Sequence, residues 1–231
     1  EFFKKHKCKI ILNNTELIRL CNDKLQIHQK LTAQGVETIP SSIEKNWSNL
    51  KNILGRPPYL IKPRNGEGSQ GIYFIKDQAD LNYWTTKKRS NFILQKIIGD
   101  DENEFTVGTF GLGQGNLLDD MIIMRRRLSR EGNTVYAEIV DCQSIEIEVR
   151  KLAKILHPIG PTNFQFRLYD GHPYLLEVNP RFSSSTSLRA SFGYNEAEMA
   201  VSYYLHGLKP KNIEIKKGTI ERQWMDIRWE E

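Results

Sequence analysis

Asn163-Phe164-Gln165-Phe166-Arg167, followed by Leu175-Leu176-Glu177-Val178-Asn179-Pro180-Arg181, is the stretch whose reading decides the fold. Side chains alternate along a strand, so Asn163, Gln165 and Arg167 share one face while Phe164 and Phe166 share the other. Leu175, Glu177 and Asn179 likewise share a face on the next strand. A five-residue loop, Tyr169 to Pro173, pairs Gln165 with Glu177 and Asn163 with Asn179, and that length lies within the common hairpin range. The pairing gathers oxygen donors, with Arg181 just beyond the strand end. Hard oxygen ligands suit Mg²⁺ carried on nucleotide phosphates, and a guanidinium suits the phosphates themselves. A solvated strand face with a salt bridge is the plainer account, but it has no need of two amides and a carboxylate so placed.

Working toward the N-terminus, Ile61-Lys62-Pro63-Arg64-Asn65-Gly66-Glu67-Gly68-Ser69-Gln70-Gly71 is a strand that delivers a lysine into a loop with three glycines. Glycines let backbone N–H groups approach phosphate oxygens, and the lysine adds a point charge. It is not a Walker A loop, because GxxxxGK[ST] is absent and no helix follows. A glycine-rich hairpin with an exposed lysine accounts for it equally well. Between these motifs, Ile93-Leu94-Gln95-Lys96-Ile97-Ile98-Gly99 reads as an apolar strand ending in a bend, with Glu104 beyond it. Its backbone can offer an adenine edge its partners and Glu104 can hold ribose hydroxyls, although a buried core strand explains the segment as simply.

The remaining segments read as helices and mainly antiparallel strands. Lys9 to Leu12 is expected as a short strand trailing from something upstream. Asp23 caps a helix through Gln34, closed by Gly35. A second helix is expected from Ser42 to Leu54, stopped by Gly55 and Pro57-Pro58. Strands Tyr59 to Pro63 and Gly71 to Lys76 flank the glycine loop, and Asp77 caps another helix. Further strands run Phe92 to Ile98 and Glu104 to Leu112, across the acidic turn Gly99 to Asn103. A hairpin follows from Met121 to Leu128 and Val135 to Val140, and Ser144 to Leu156 is an amphipathic helix. After the Thr162–Asn179 hairpin come a helix from Asn195 to His206 and terminal strands near Ile213 and from Ile220 to Trp229. Such a mixture argues for an α+β fold of two lobes, not a doubly wound parallel sheet.

Composition narrows the classes. The net charge of +5 and pI near 9.0 suit anionic ligands, but no basic run is interleaved with aromatics as a nucleic-acid surface would be. Cys8, Cys21 and Cys142 lack zinc spacing and read as reduced thiols of a cytoplasmic protein. No apolar run approaches the ~20 residues of a membrane span. Arg125-Arg126-Arg127 on a strand must split between faces, so at least one points inward. The serine run Ser183 to Ser187 has no GxSxG, and the histidines have no paired ligand spacing.

Taken in order, these pieces resemble the ATP-grasp superfamily, nearest its carbamoyl-phosphate-synthetase-like, carboxylate–amine ligase branch, over Asp23 to about Leu208. The resemblance implies that Lys24 of Asp23-Lys24 reaches the nucleotide. It implies that Lys62 with Gly66, Gly68, Ser69 and Gly71 covers the phosphates, and that Gln95, Lys96, Ile97 and Ile98 form the adenine hinge with Glu104 on the ribose. Gln165, Glu177 and Asn179 then hold Mg²⁺ (or Mn²⁺), while Lys62, Asn179 and Arg181 serve phosphoryl transfer. It implies an ATP-dependent ligase that makes an acyl phosphate for attack by an amine or similar nucleophile such as a thiol, working on small-molecule carboxylate and amine substrates, with a homodimer the assembly common among such enzymes. A carbamoyl-phosphate-synthetase large-subunit fragment and a non-catalytic nucleotide-binding module are the alternatives. Many members carry an acid where Gln165 sits. The carbamoyl-phosphate branch has a second arginine where Ser184 sits, which argues against bicarbonate and leaves Arg189 for another carboxylate. The expected organisation is a trailing strand and linking helix over 1–35, a lid subdomain with the glycine loop over 36–98, and a catalytic subdomain over 99–231. The α/β domain that precedes this fold is expected to be missing.

Overall fold

The computed structural model describes residues 5–6, 10–66, 71–211 and 213–223. Two antiparallel sheets organise the chain. The smaller has the order β1-β4-β2-β3, with β1 Ser41–Ser42, β2 Tyr59–Lys62, β3 Tyr73–Ile75 and β4 Ile93–Lys96. Helices Trp47–Leu54 and Gln78–Lys88 accompany it, and Leu50, Leu54, Tyr59, Ile61, Ile75, Leu81, Phe92 and Leu94 form its core. The helix expected from Ser42 starts only at Trp47. Ser41 and Ser42 pair with Gln95 and Leu94 instead, and the Asn46 side chain caps the helix by accepting the Asn49 N–H at 3.0 Å.

The larger sheet has the order β10-β9-β5-β7-β8-β11, with β6 (Asn116–Leu117) paired to β5. Its strands are β5 Glu104–Gly113, β7 Ile122–Leu128, β8 Thr134–Ile139, β9 Ile159–Tyr169, β10 His172–Asn179 and β11 Thr219–Glu221. Strand alternation divides it into two faces. On one, Phe105, Val107, Ile123, Phe164, Phe166 and Val178 meet helix Gln143–Leu156 through Ile145, Val149, Leu152 and Leu156. Leu17 and Leu31 of helices Thr15–Cys21 and Lys24–Ala33 complete this core. On the other face, Phe110, Ile122, Met124, Ala137 and Ile139 meet Met199 and Ala200 of helix Glu196–His206. Burying side chains of this size stabilises by about 1.5–3 kcal/mol each.

Several sequence expectations need correction. Ile10 to Leu12 form no strand, and Lys9 lies outside the described residues. The polar stretch after them opens a helix instead: Asn14 caps Thr15–Cys21 by accepting the Leu17 N–H at 2.7 Å. Buried Asn13 ties this segment to β9, accepting from the Ile159 N–H at 2.8 Å and donating to Thr162 Oγ1 at 3.0 Å. Residues near Ile213 are irregular. The last strand is Thr219–Glu221, and the rest of the expected Ile220–Trp229 strand beyond residue 223 lies outside the described residues. The end of the serine run enters a short helix, Thr186–Ser191, which was not foreseen.

The β9–β10 hairpin keeps the expected pairing by a different route. Asp170-Gly171 makes a two-residue turn, with φ of 49° and 76°, so that Tyr169 faces His172. A regular ladder from that turn would set Glu177 against Phe164. A bulge at Leu176 shifts the register by one, placing Glu177 against Gln165 and Asn179 against Asn163. Leu175, opposite Phe166, thereby packs against the core and does not share the face of Glu177.

Candidate functional site

The face of the larger sheet that carries Phe110 changes character along its strands. The apolar cluster of Phe110, Ile122 and Met124 gives way to a buried polar layer: Thr106 Oγ1 donates to Asn163 Oδ1 at 2.6 Å, and Arg189 donates to both. Arg189 also pairs with Glu196 at 2.8 Å, and both side chains are fully buried. Gly108 leaves room for that guanidinium, since a Cβ there would sit 2.8 Å from Arg189 Nε. Arg189 thus serves a carboxylate of its own chain, and the expectation that it meets a substrate carboxylate is corrected.

One step further along, the same face opens into a cleft of about 230 Å³. From the larger sheet it is lined by Glu104, Arg126, Gln165, Arg167 and Glu177; from the smaller by Leu60, Lys62 and Gln95; and at the rim by Lys24 and Gly66. Lys24, Lys62, Arg126 and Arg167 set four cations against the carboxylates of Glu104 and Glu177. Such a lining favours a polyanion.

Each side chain has a definable holder. Arg126 Nη2 lies 2.9 Å from Glu104 Oε1 and 2.9 Å from Gln165 Oε1, while Arg167 Nη2 takes Glu104 Oε2 at 2.9 Å and Asp101 at 2.7 Å. Lys62 Nζ donates to Gln95 Oε1 at 2.5 Å, and Gln95 in turn donates to Ser41 Oγ at 2.9 Å. Burial, helped by the charges of Lys24 and Arg167 and opposed by Glu177, depresses the Lys62 ammonium to about 8. Lys24 Nζ donates to the Gly66 carbonyl at 2.8 Å, and its backbone N–H to the Arg64 carbonyl, so the start of the glycine loop is tied to the helix it faces. Asp23 caps that helix and pairs with Arg64. Burial alone would raise its carboxyl, but Arg64 and the helix amides hold it below the usual range.

The sequence candidates are thus partly gathered. Lys24, Lys62, Gly66, Gln95, Glu104, Gln165 and Glu177 line one cleft. Asn179 and Arg181 line an adjoining hollow of about 210 Å³ that shares Gly66 and Glu177 with it. Lys96, Ile97 and Ile98 line a separate depression with Gly99, Leu168 and Tyr169, so of the four hinge residues only Gln95 turns its side chain into the cleft. Gly71, at φ 71°, faces Pro63 and Lys88, and Gly68 and Ser69 lie outside the described residues. Sequence reading missed Leu176, whose bulge turns an apolar wall into the cleft, and it left open which arginine of 125–127 points inward. Strand parity with Ile122 and Met124 was the available signal for Arg126. Arg125 pairs outward with Glu138 at 2.6 Å, and Arg127 lies over the Tyr136 ring.

The oxygen donors fit a hard divalent cation. The Glu177 carboxylate and the Asn179 amide make no side-chain hydrogen bond or ion pair among the described residues, and the Gln165 oxygen is held only by Arg126. Among the described residues no three His, Cys, Asp or Glu side chains cluster, so the set has one carboxylate and two amides. It suits an ion that arrives on phosphates better than one bound permanently. Cys21 lines the adjoining hollow, but burial and the Glu177 charge push its thiol up to about 12, so it stays protonated. No helix among the described residues is long and apolar enough to cross a membrane.

This architecture has relatives. The biotin carboxylase domain of Hydrogenobacter thermophilus 2-oxoglutarate carboxylase, solved in complex with MgADP, ADP and bicarbonate, superposes with a TM-score of 0.68 at 19% identity, over 94% of this chain and 53% of that one. A probable alpha-L-glutamate ligase of Xanthomonas oryzae is 28% identical over 131 residues, 52% of this chain and 41% of the relative. The carbamoyl phosphate synthase large chain of Clostridium botulinum is 23% identical over 202 residues, 79% of this chain and 18% of that protein. The chain therefore spans less than half the length of these curated relatives. A family model described as "ATP-grasp in the biosynthetic pathway with Ter operon" matches residues 89–226, more than half of the chain. With its two antiparallel sheets and the cleft they share, the chain belongs to the ATP-grasp family.

Proposed function

We propose that this chain binds MgATP in the cleft and activates a small carboxylate as an acyl phosphate for attack by an amine or similar nucleophile. The observation that carries this reading is the cleft lining: four cations and the carboxylate Glu177, which makes no side-chain hydrogen bond or ion pair among the described residues. The curated relative named as a glutamate ligase supports the carboxylate–amine class, and the neighbour solved with MgADP supports magnesium as the ion.

Lys62 and Arg181 balance the charge of the γ-phosphoryl group, and Glu104 faces the ribose. Gln165, Glu177 and Asn179 hold the metal, which supplies Lewis-acid polarisation of the phosphoryl oxygens when bound. A carboxylate oxygen attacks the γ-phosphorus, the bond to the bridging oxygen breaks, and ADP leaves. The amine then attacks the acyl carbon, phosphate departs, and the surplus amine proton passes to solvent. Nothing in this sequence needs a covalent nucleophile from the protein, whose part is placement and electrostatics. We assign residues 36–98 to a lid subdomain that shields the acyl phosphate from water, and 99–231 to the catalytic subdomain. The surroundings we assign are cytoplasmic, with small-molecule substrates.

The test is carboxylate-dependent release of ADP from MgATP, with hydroxylamine present to capture the acyl phosphate as a hydroxamate. Wild-type protein should give ADP and hydroxamate in step across a carboxylate panel, and Glu177→Ala should give neither while melting as the wild type does. ADP without hydroxamate would leave only an ATPase, and turnover in Glu177→Ala would remove the metal assignment.

A further inference from the structure

Arg126 stands at the junction of the two halves of the cleft. It is 5% exposed, yet it lines the cavity. One of its nitrogens, Nη2, donates both to Glu104, the ribose-facing carboxylate, and to Gln165, a member of the metal set. A guanidinium has five N–H donors. Among the described residues Nη1 reaches only Thr134 Oγ1, at 3.4 Å, and Nε has no hydrogen-bond partner although it is buried. Buried donors left unmatched cost stability, and a cation so placed beside a cavity is suited to receive an anion.

We propose that Arg126 is a nucleotide-responsive positioning residue: it holds the Gln165 oxygen and Glu104 before the nucleotide arrives and passes to a phosphate oxygen when MgATP binds, freeing Gln165 for the metal. This rests on the nucleotide-binding reading above. The exchange explains why a neutral amide works at position 165. A carboxylate there would form a second ion pair with Arg126, and a buried pair of that kind is costly to separate. The amide holds the arginine with an ordinary hydrogen bond and lets it go. Arg167 keeps Glu104 in place throughout, since it takes the other carboxylate oxygen.

Calorimetric titration of the full chain with MgATP and with adenosine tests this in wild type, Arg126→Met, Arg126→Lys and Gln165→Glu. Arg126→Met should weaken MgATP binding about tenfold or more, the scale of a lost charge-assisted hydrogen bond, while adenosine affinity stays unchanged. Arg126→Lys should recover part of the loss. Gln165→Glu should also weaken MgATP, because it locks the arginine. Parallel loss of MgATP and adenosine affinity would make Arg126 merely a support for Glu104 and overturn the proposal. So would tighter MgATP binding by Gln165→Glu, the result expected if position 165 acts on the metal alone. Should Arg126→Met fail to fold, the lysine and Gln165→Glu variants still decide the matter. Wild-type protein that bound no MgATP would remove the nucleotide reading itself, an outcome distinct from either of these.

Discussion

Lys62 shows how one half-buried side chain can carry a measurable pH signature. Its ammonium is depressed to about 8 chiefly because the cleft strips it of water, with the charges of Lys24 and Arg167 adding to this, Glu177 opposing it and Gln95 as its neutral partner. Below pH 8 the folded chain bears the cost of keeping that charge. Between about 8 and 10.5 the unfolded chain binds the proton more tightly, so this group makes the fold more stable as pH rises through that window. A bound polyphosphate reverses the bias and restores the charge. Nucleotide binding near pH 8.5 should therefore take up a proton, and affinity should fall above pH 8 by up to about tenfold per unit. Calorimetry in two buffers of different ionisation enthalpy reads the uptake directly, and Lys62→Met should abolish it. Equal apparent enthalpies for the wild type would place Lys62 away from the phosphates. At this scale the sequence was informative wherever strand parity applied: the polar face of Asn163, Gln165 and Arg167 and the inward turn of one arginine both followed from alternation. Partners were not legible, because Arg189 meets Glu196 only after the short helix Thr186–Ser191, which the sequence did not announce, has folded beside the expected helix Glu196–His206.

The β9–β10 hairpin makes the corresponding point for elements. The pairing of Gln165 with Glu177 was readable, but a five-residue loop and a two-residue turn with a bulge place the same residues opposite each other. Asp170-Gly171 was the signal that separates them, since Asp-Gly favours the two-residue turn in which both residues take positive φ. The difference matters because only the bulged form turns Leu176 into the cleft. Deleting Leu176 would regularise β10 while leaving Glu177 against Gln165 and Leu175 against Phe166. Such a protein should fold, with a melting temperature within a few degrees of wild type on the scale of ~1 kcal/mol. It should nonetheless bind MgATP about ten- to a hundredfold more weakly, having lost about 1.5–3 kcal/mol of apolar wall. Retained affinity would show that the bulge is incidental to the site. Loss of the fold would show that the added strand twist is needed for packing against helix Gln143–Leu156.

Across the whole molecule, the sheets have separate cores and meet at the cleft, where Lys62 and Gln95 from one face Glu177 and Arg126 from the other. The α+β character was legible because each core is written as period-two strands and period-3.6 helices, whereas the edges were not. Ser41 and Ser42 became a strand because β4, at Leu94 and Gln95, offered an edge, and residues 10–12 pair with no strand among the described residues. A ligand that spans two cores couples their stabilities, because it binds only when both are folded. Saturation at a hundred times Kd adds about 2.7 kcal/mol to whatever must fold in order to bind. For a chain of 231 residues that is a rise of roughly 5–10 °C in melting temperature. The rise should need Mg²⁺, disappear with EDTA, and appear in a single transition, both in tryptophan fluorescence, to which Trp47 and Trp84 of the smaller lobe contribute, and in far-UV signal from both lobes. A shift confined to one of two separable transitions would mean that the nucleotide contacts a single sheet, and the shared cleft would then not be its site. Coincident movement of both signals requires a ligand that touches both sheets, as Lys62 on one side of that space and Glu104, Arg126, Arg167 and Glu177 on the other would allow.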